Sequence, residues 1–270
     1  MSGTVLRLRA APAGRIDMTG VLPETLAGRS AGEIERMTLR VDGAPVALGA
    51  LFAVRAGAGD VLTIRPDSAH LDGLGRDMYA GTLRVEGAAG HYLAQGMRGG
   101  ELIVDGDAGD CAANGMCGGL VRIAGGAGDW LGAALVGERA GMGGGVVAVA
   151  GDVGDRLGDR MRRGLVLVRG RAGAACGARM RAGTLVVAGG CGVLAGFGLL
   201  RGSLVLGRAP AALPACHGDA GVVTLAWLGL LRRHAEAILP GVVPETPRMH
   251  RYMGDLAFGG KGEILVPACA

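Results

Sequence analysis

Lysine is almost missing from this chain. Lys261 is the only one among 270 residues, so nearly all basic charge is arginine, a bias that fits a GC-rich genome. Aromatic residues make up 3% of the sequence. That is too few for a groove lined with sugar-stacking rings, and no basic–aromatic motif supports nucleic-acid binding. The net charge of +4 is modest and singles out no nucleic-acid partner. No apolar run reaches membrane-spanning length, and the first residues lack a charged-then-apolar leader pattern. No membrane association is expected, and a cytoplasmic location is the default.

Paired metal-ligand motifs are lacking as well. The six cysteines (Cys111, Cys117, Cys176, Cys191, Cys216 and Cys269) include no C-x-x-C. The five histidines (His70, His91, His217, His234 and His250) form no H-x-H or H-x-x-x-H. Metal binding needs ligands that converge, and disulfides need an oxidising compartment. The cysteines read instead as small buried apolar residues with a free thiol or two. No metal-binding or cofactor-binding residue is expected, and no G-x-x-x-x-G-K-[ST] phosphate loop occurs.

Glycine, by contrast, is abundant, at 54 residues, and it is periodic. From Thr82 to Gly202 six segments align, five of them nineteen residues long; the third carries seven extra residues within Ala133–Arg139. Each opens with an aliphatic pair two residues apart, such as Leu83/Val85, Leu102/Val104 or Val166/Val168. Period-two spacing puts both side chains on one face of a short strand, the inside. Glycines follow at two corner positions, where positive φ or close backbone approach suits a residue without Cβ. A third glycine closes each turn. Three residues before it runs the column Met78, Met97, Met116, Met142, Met161, Met180 and Leu199, read as one adaptable side chain per rung.

No helix fits inside a turn so rich in glycine, so successive strands must stack in parallel by coiling. The expected fold is all-β, a right-handed parallel β-helix solenoid of about eight turns with period 19. At ~4.8 Å per turn its length would be on the order of 35–40 Å. The expected domains are an N-terminal α/β cap over 1–58, the β-helix over 59–207, and a C-terminal helical cap and tail over 208–270.

Within the first of these, 4–8 reads as a strand, and Ser30 with Glu33 forms a capping box for a helix over Ala31–Met37. Residues 38–43 and 46–54 are strand-like. Val61–Gly81 is a slightly longer first turn. Beyond the strand 203–207, VVTLAWLGLLRRHAEAIL (222–239) has helical periodicity and reads as a capping helix. Trp227, Leu228, Leu231 and Ile238 share its apolar face, and EILV (263–266) suggests a final strand.

Two groups of side chains invite a chemical reading. Asp110, Asp129 and Asp155 form a column with His91 one turn earlier. Paired carboxylates on adjacent turns can do acid–base work on glycosides, but each follows a corner glycine, where turn bonding explains it equally well. The second group is arginine. Arg160 and Arg179 share one column and Arg162 and Arg181 another, with Arg163 alongside. Stacked turns bring like charges to within about 5 Å of backbone spacing, where they repel unless anions or a partner's carboxylates offset them. These five are the candidate partner or polyanion contacts; no catalytic residue is assigned.

The repeated G-x-x-G-D/H…G-M-x-G-G pattern resembles the domain that follows the active sites in large glutamate synthase subunits. The flanks narrow the match. LPETLAGRSAGEIERMTLRVDGAPVALGALFAV (22–54) and RYMGDLAFGGKGEILV (251–266) resemble the C subunit of formylmethanofuran dehydrogenase and of its bacterial relative, the formyltransferase/hydrolase complex of methylotrophs. The resemblance implies a β-helix subunit without an active site of its own. It implies partners: an amidohydrolase-like subunit, a formyltransferase subunit and a further large subunit. It also implies a reaction of one-carbon metabolism and formaldehyde oxidation, in which a formyl group passes from formyltetrahydromethanopterin to a methanofuran-type carrier and leaves as formate. The carrier and any metal are expected on the partner subunits. Two alternatives stay open at this point. One is the same subunit of an archaeal-type, molybdopterin-dependent formylmethanofuran dehydrogenase. The other is a free-standing β-helix enzyme acting on polysaccharide through the aspartate column, with Tyr92 and Trp130 as its rings.

Overall fold

A computed structural model describes residues 3–66 and 69–268, so Cys269 and two residues of the first turn lie outside the described residues. The chain is mostly strand. It opens with β1 (Thr4–Leu8), β2 (Ile16–Asp17), α1 (Pro23–Leu26), α2 (Ala31–Glu35), β3 (Thr38–Val41), β4 (Ala44–Ala47), α3 (Leu48–Leu51) and β5 (Phe52–Arg55). The capping box of α2 is present: the Ser30 N–H donates to Glu33 Oε2 at 2.8 Å, and the Glu33 N–H donates to Ser30 Oγ at 3.4 Å. The strand expected over 46–54 is broken, because α3 interrupts it. That single helical turn moves the chain from a four-stranded sheet containing β4 to the edge of a thirteen-stranded sheet that contains β5.

The repeats supply the centre of the large sheet. β6 (Val61–Arg65), β8 (Thr82–Val85), β9 (Glu101–Val104), β10 (Leu120–Ile123), β11 (Gly143–Val149), β12 (Arg163–Val168), β13 (Thr184–Val187) and β14 (Ser203–Leu206) pair in parallel, each with the next; β7 (Leu71–Asp72) joins β2 in the small sheet. Register follows the aliphatic columns: Leu83 stands against Leu102, Leu102 against Val121, and Val166 against Leu185. Both members of every inward pair from Leu62/Ile64 to Leu204/Leu206 are buried, at 0–2% exposure. A second line of parallel bridges links Ala108, Ala127, Val153, Ala172 and Cys191, one from each of the last five repeats.

The corner glycines answer to close approach rather than to backbone conformation. Gly109, Gly128 and Gly154 are not in the left-handed region, yet a Cβ on any of them would meet the preceding repeat within 3 Å. Left-handed φ falls instead on neighbours such as Tyr92, Cys111 and Arg156, and on the closing glycines.

The C-terminal part departs from expectation. β15 (Gly218–Thr224) occupies the start of the segment expected to be helical, and α4 covers only Trp227–Glu236. β16 (Arg248–Gly254), absent from the sequence-based expectation, and β17 (Gly262–Pro267) follow, separated by one 3-10 turn at Leu256–Phe258. β17 pairs in parallel with β14 and continues the stack, then β16 and β15 add antiparallel. The helix therefore does not cap the last repeat. It lies on the flank of the sheet, where Leu228 and Ala235 pack in one cluster with Ala148, Leu167, Val186, Val205 and Leu265. Those five are the outward-facing residues of successive strands. In β8, β9 and β10 the same position holds Arg84, Ile103 and Arg122; Arg84 pairs with Asp105, and Arg122 Nη1 donates to the Ile238 carbonyl just past α4 at 2.6 Å. Apolar outward positions gain more from burial than they lose in ordering a helix over them.

Candidate functional site

Four of the five arginines singled out by spacing come together. Arg160, Arg162, Arg179 and Arg181 line one cavity of about 850 Å³, together with Arg139 and Glu138 from the inserted loop and with Phe197, Leu200 and Phe258. Stacking of the β11–β14 repeats sets the arginine positions, because a nineteen-residue step advances one rung and preserves the column. Arg163 is exposed at the start of β12 and does not line the cavity.

The arginines differ in what they touch. Arg179 Nε donates to Asp159 Oδ1 at 3.0 Å, and its Nη2 makes a second contact with Oδ2 of the same carboxylate. Asp159 is 1% exposed, so it is a buried counter-charge that fixes the guanidinium from below. Arg160 Nη1 donates to the Glu138 carbonyl at 3.0 Å and ties the inserted loop to the following repeat. Arg162 and Arg181 are exposed, and their guanidiniums have no hydrogen-bond or ion-pair partner among the described residues. Their donors face the cavity unspent. Phe197 and Phe258 meet edge to face with ring centroids 6.2 Å apart and add apolar surface to the lining.

The basic surface runs further than its columns suggested. An adjoining cavity of about 380 Å³ shares Arg181 and Leu200 and adds Arg201 and Lys261, the sole lysine. Arg201 was findable, since it sits two repeats below Arg163 in one column. Arg139 had no column to betray it, because it lies in the insertion. Phe258 comes from outside the repeats and reaches the cavity only through the fold.

The aspartate column does a different job. The His91 N–H donates to Asp72 Oδ1 at 2.7 Å, and the Asp110 N–H to His91 Nδ1 at 2.9 Å. Next, the Asp129 N–H donates to Asp110 Oδ1 at 2.9 Å, and the Asp155 N–H to Asp129 Oδ1 at 2.7 Å. Each side chain thus accepts a backbone donor from the following repeat, and one carboxylate oxygen per rung is engaged in holding the stack. Trp130 lies beneath Arg156, with the guanidinium carbon 4.7 Å from the ring centroid. Among the described residues no group of three His, Cys, Asp or Glu side chains is placed to hold a metal ion, and no helix is long and apolar enough to cross a membrane.

No family model matches the chain. Among curated proteins, the C subunit of the formyltransferase/hydrolase complex Fhc of Methylorubrum extorquens is 39% identical over 90 residues, a match spanning 33% of this chain and about a third (34%) of that relative. Among solved structures, the chain is similar to one in the X-ray crystal structure of the formyltransferase/hydrolase complex (FhcABCD) from Methylorubrum extorquens in complex with methylofuran. The two are 37% identical with a TM-score of 0.89, over 98% of this chain and 100% of the other.

Proposed function

This chain belongs to the family of the C subunit of the formyltransferase/hydrolase complex, and from that premise we propose that it is the non-catalytic scaffold of such a complex. In this reading the complex passes a formyl group from formyltetrahydromethanopterin to a methanofuran-type carrier and releases formate. The chain's partners are an amidohydrolase-like subunit, a formyltransferase subunit and a further large subunit. The observation that carries the proposal is the likeness over nearly the full length of both chains, flanks included.

The scaffold itself is read as a right-handed parallel β-helix, with a cap over 1–58, the repeats over 59–207 and a C-terminal part over 208–270. Sequential parallel pairing of β6 through β14 and the second line of bridges at the corners support this reading. The C-terminal part is a three-stranded extension plus a flanking helix rather than a helical cap.

The arginine cavity is read as the place where this chain meets carboxylates. A methanofuran-type carrier bears glutamate residues, and the unpartnered guanidiniums of Arg162 and Arg181 suit such a chain. The residues fit the group: the donors are exposed, mutually repelling and lodged in a concave wall. This chain's part would be to bind and steer the carrier's carboxylates, while the carrier itself holds the one-carbon unit. Carboxylates on a partner protein would be bound by the same donors.

The bacterial, hydrolytic complex is preferred to the archaeal redox one because both relatives named above are bacterial. A free-standing polysaccharide enzyme is disfavoured by the aspartates' engagement in the inter-repeat ladder. Purification of the native complex, with identification of every bound chain, tests the proposal. The isolated chain should neither transfer nor hydrolyse formyl groups, and turnover by it alone would overturn the scaffold role.

A further inference from the structure

The segment 255–263 stands on the last repeat as a further rung would. The Asp255 N–H donates to the Leu199 carbonyl at 2.6 Å and the Glu263 N–H to the Gly202 carbonyl at 3.0 Å. One repeat earlier, Leu200 and Ser203 make the same two bonds to Met180 and Gly183, at 2.9 and 3.1 Å. Two residues separate those donors in the regular repeat, and seven separate them here. The surplus bulges out as the 3-10 turn Leu256–Phe258 and the pair Gly259-Gly260. Phe258 is more than half exposed on this bulge, yet its ring meets Phe197 and lines the arginine cavity.

One carboxylate holds the backbone beside both rings. Asp255 Oδ2 accepts the Gly198 N–H at 3.0 Å, next to Phe197, and Oδ1 accepts the Ala257 N–H at 2.9 Å, next to Phe258. The Cys216 thiol donates to the same group. Asp255 is 1% exposed, so water does not compete for these bonds. Among the described residues, the other hydrogen bonds of 256–260 stay within 255–260 or go to the Cys216 carbonyl. Only the carboxylate joins the turn to the repeat that carries Phe197.

We propose that Asp255 is a positioning residue for the arginine cavity. It fixes Phe258 against Phe197, and so sets the apolar lining beside the free guanidiniums of Arg162 and Arg181. Apolar surface in a cavity displaces water and strengthens each ion pair formed there. A ring already in place need not be ordered when a ligand arrives. The carboxylate is needed for its acceptors: two N–H groups and a thiol converge on it, and an amide would turn an N–H donor of its own toward one of them. The sign of the effect separates position from charge. Losing a negative charge near an anion site by itself tightens binding, whereas losing the clamp loosens it.

The proposal rests on the reading of this cavity as a carboxylate site, and binding of a hexaglutamate peptide to the full chain tests both in turn. The parent should bind, and Arg162→Gln combined with Arg181→Gln should weaken binding at least ~10-fold. No binding by the parent, or no loss in that double variant, would overturn the carboxylate reading and the positioning role with it. Once binding is established, Asp255→Asn should weaken it at least ~5-fold. Exchange of the Gly198 and Ala257 amides should speed up together in that variant. Asp129→Ala is the control for stability alone: it should lower the melting temperature and leave hexaglutamate affinity unchanged. Phe258→Ala removes an exposed ring, should fold whether or not Asp255→Asn does, and should weaken binding by a similar factor. Parental affinity in Phe258→Ala, parental or tighter affinity in Asp255→Asn, or an equal loss in Asp129→Ala would overturn the role of Asp255 alone.

Discussion

The methyl group of Met116 fills the space in front of Gly145: a Cβ built on that glycine would stand 2.7 Å from Met116 Cε. Gly145 also has φ of +83°. The same meeting recurs at Met97 and Gly119 and at Met142 and Gly164, and the series ends with Leu199 against Gly262 in β17. The methionine ladder and the closing glycines are one device, in which each rung's methyl needs a missing side chain on the next.

Gly145→Ala should therefore destabilise by about 1–3 kcal/mol through overpacking and a strained left-handed alanine. Met116→Ala should lose about 2–5 kcal/mol from the cavity it leaves. Together they should fall short of the sum, because truncating the methionine relieves the clash. Chemical denaturation of the three variants measures this, and strict additivity would contradict the shared device.

A one-residue insertion between Leu165 and Val166 should abolish folding or assembly, since it turns the inward pair of β12 outward. Three residues added between Val136 and Gly137 should cost less than about 1 kcal/mol, because that loop is exposed and closure entropy grows slowly. The tolerant stretch excludes Ala133 and Ala134, which are buried. Thermal melting of both insertions, with assembly as a second readout, checks the pair.

Asp129→Ala should destabilise by about 0.5–1.5 kcal/mol, the scale of one hydrogen bond, by releasing the Asp155 N–H. Asp129→Asn keeps an acceptor oxygen and should lose less. Neither should change formyl throughput of the assembled complex. A large fall in turnover with unchanged stability would return the column to chemistry.

The Asp255 carboxyl is held below the usual range. Burial acts to raise it, but hydrogen bonds from the Cys216 thiol and from the Gly198 and Ala257 N–H groups, with the charge of His217, outweigh burial. A depressed folded value means the stabilisation is complete above the unfolded value of about 3.9 and is lost as pH falls through the folded one. Denaturant midpoints should drop across that acid window in the parent and show a smaller drop in Asp255→Asn. Superimposable pH profiles would refute the assignment.

Replacing Arg162, Arg163 and Arg181 with glutamine should slow formyl throughput or loosen assembly, most visibly at low ionic strength, where charge steering is strongest. Restoring Arg163 alone should recover little, since it stands outside the cavity. Parental behaviour of the triple variant at every salt concentration would reduce the arginines to a solvated face.

Much of this was legible in the order of residues. A fixed period of nineteen places like residues in register, so the inward aliphatic pairs, the methionine column and the stacking of Arg160 on Arg179 follow from counting. Capping of α2 by Ser30 and Glu33 was equally local. Other features needed the third dimension. VVT (222–224) suits a helix or a strand by periodicity, and pairing with β16 settled it as strand. The outward column Ala148, Leu167, Val186, Val205 carried a signal, four consecutive apolar residues where β8 and β10 show arginine, yet only packing reveals that α4 is what covers them. Asp159 lies beneath Arg179, and Phe258 reaches across to Phe197, because residues distant in the chain meet there. Periodicity determines which residues share a rung; what lies against the rung from outside the repeat is decided by tertiary contacts that no spacing encodes.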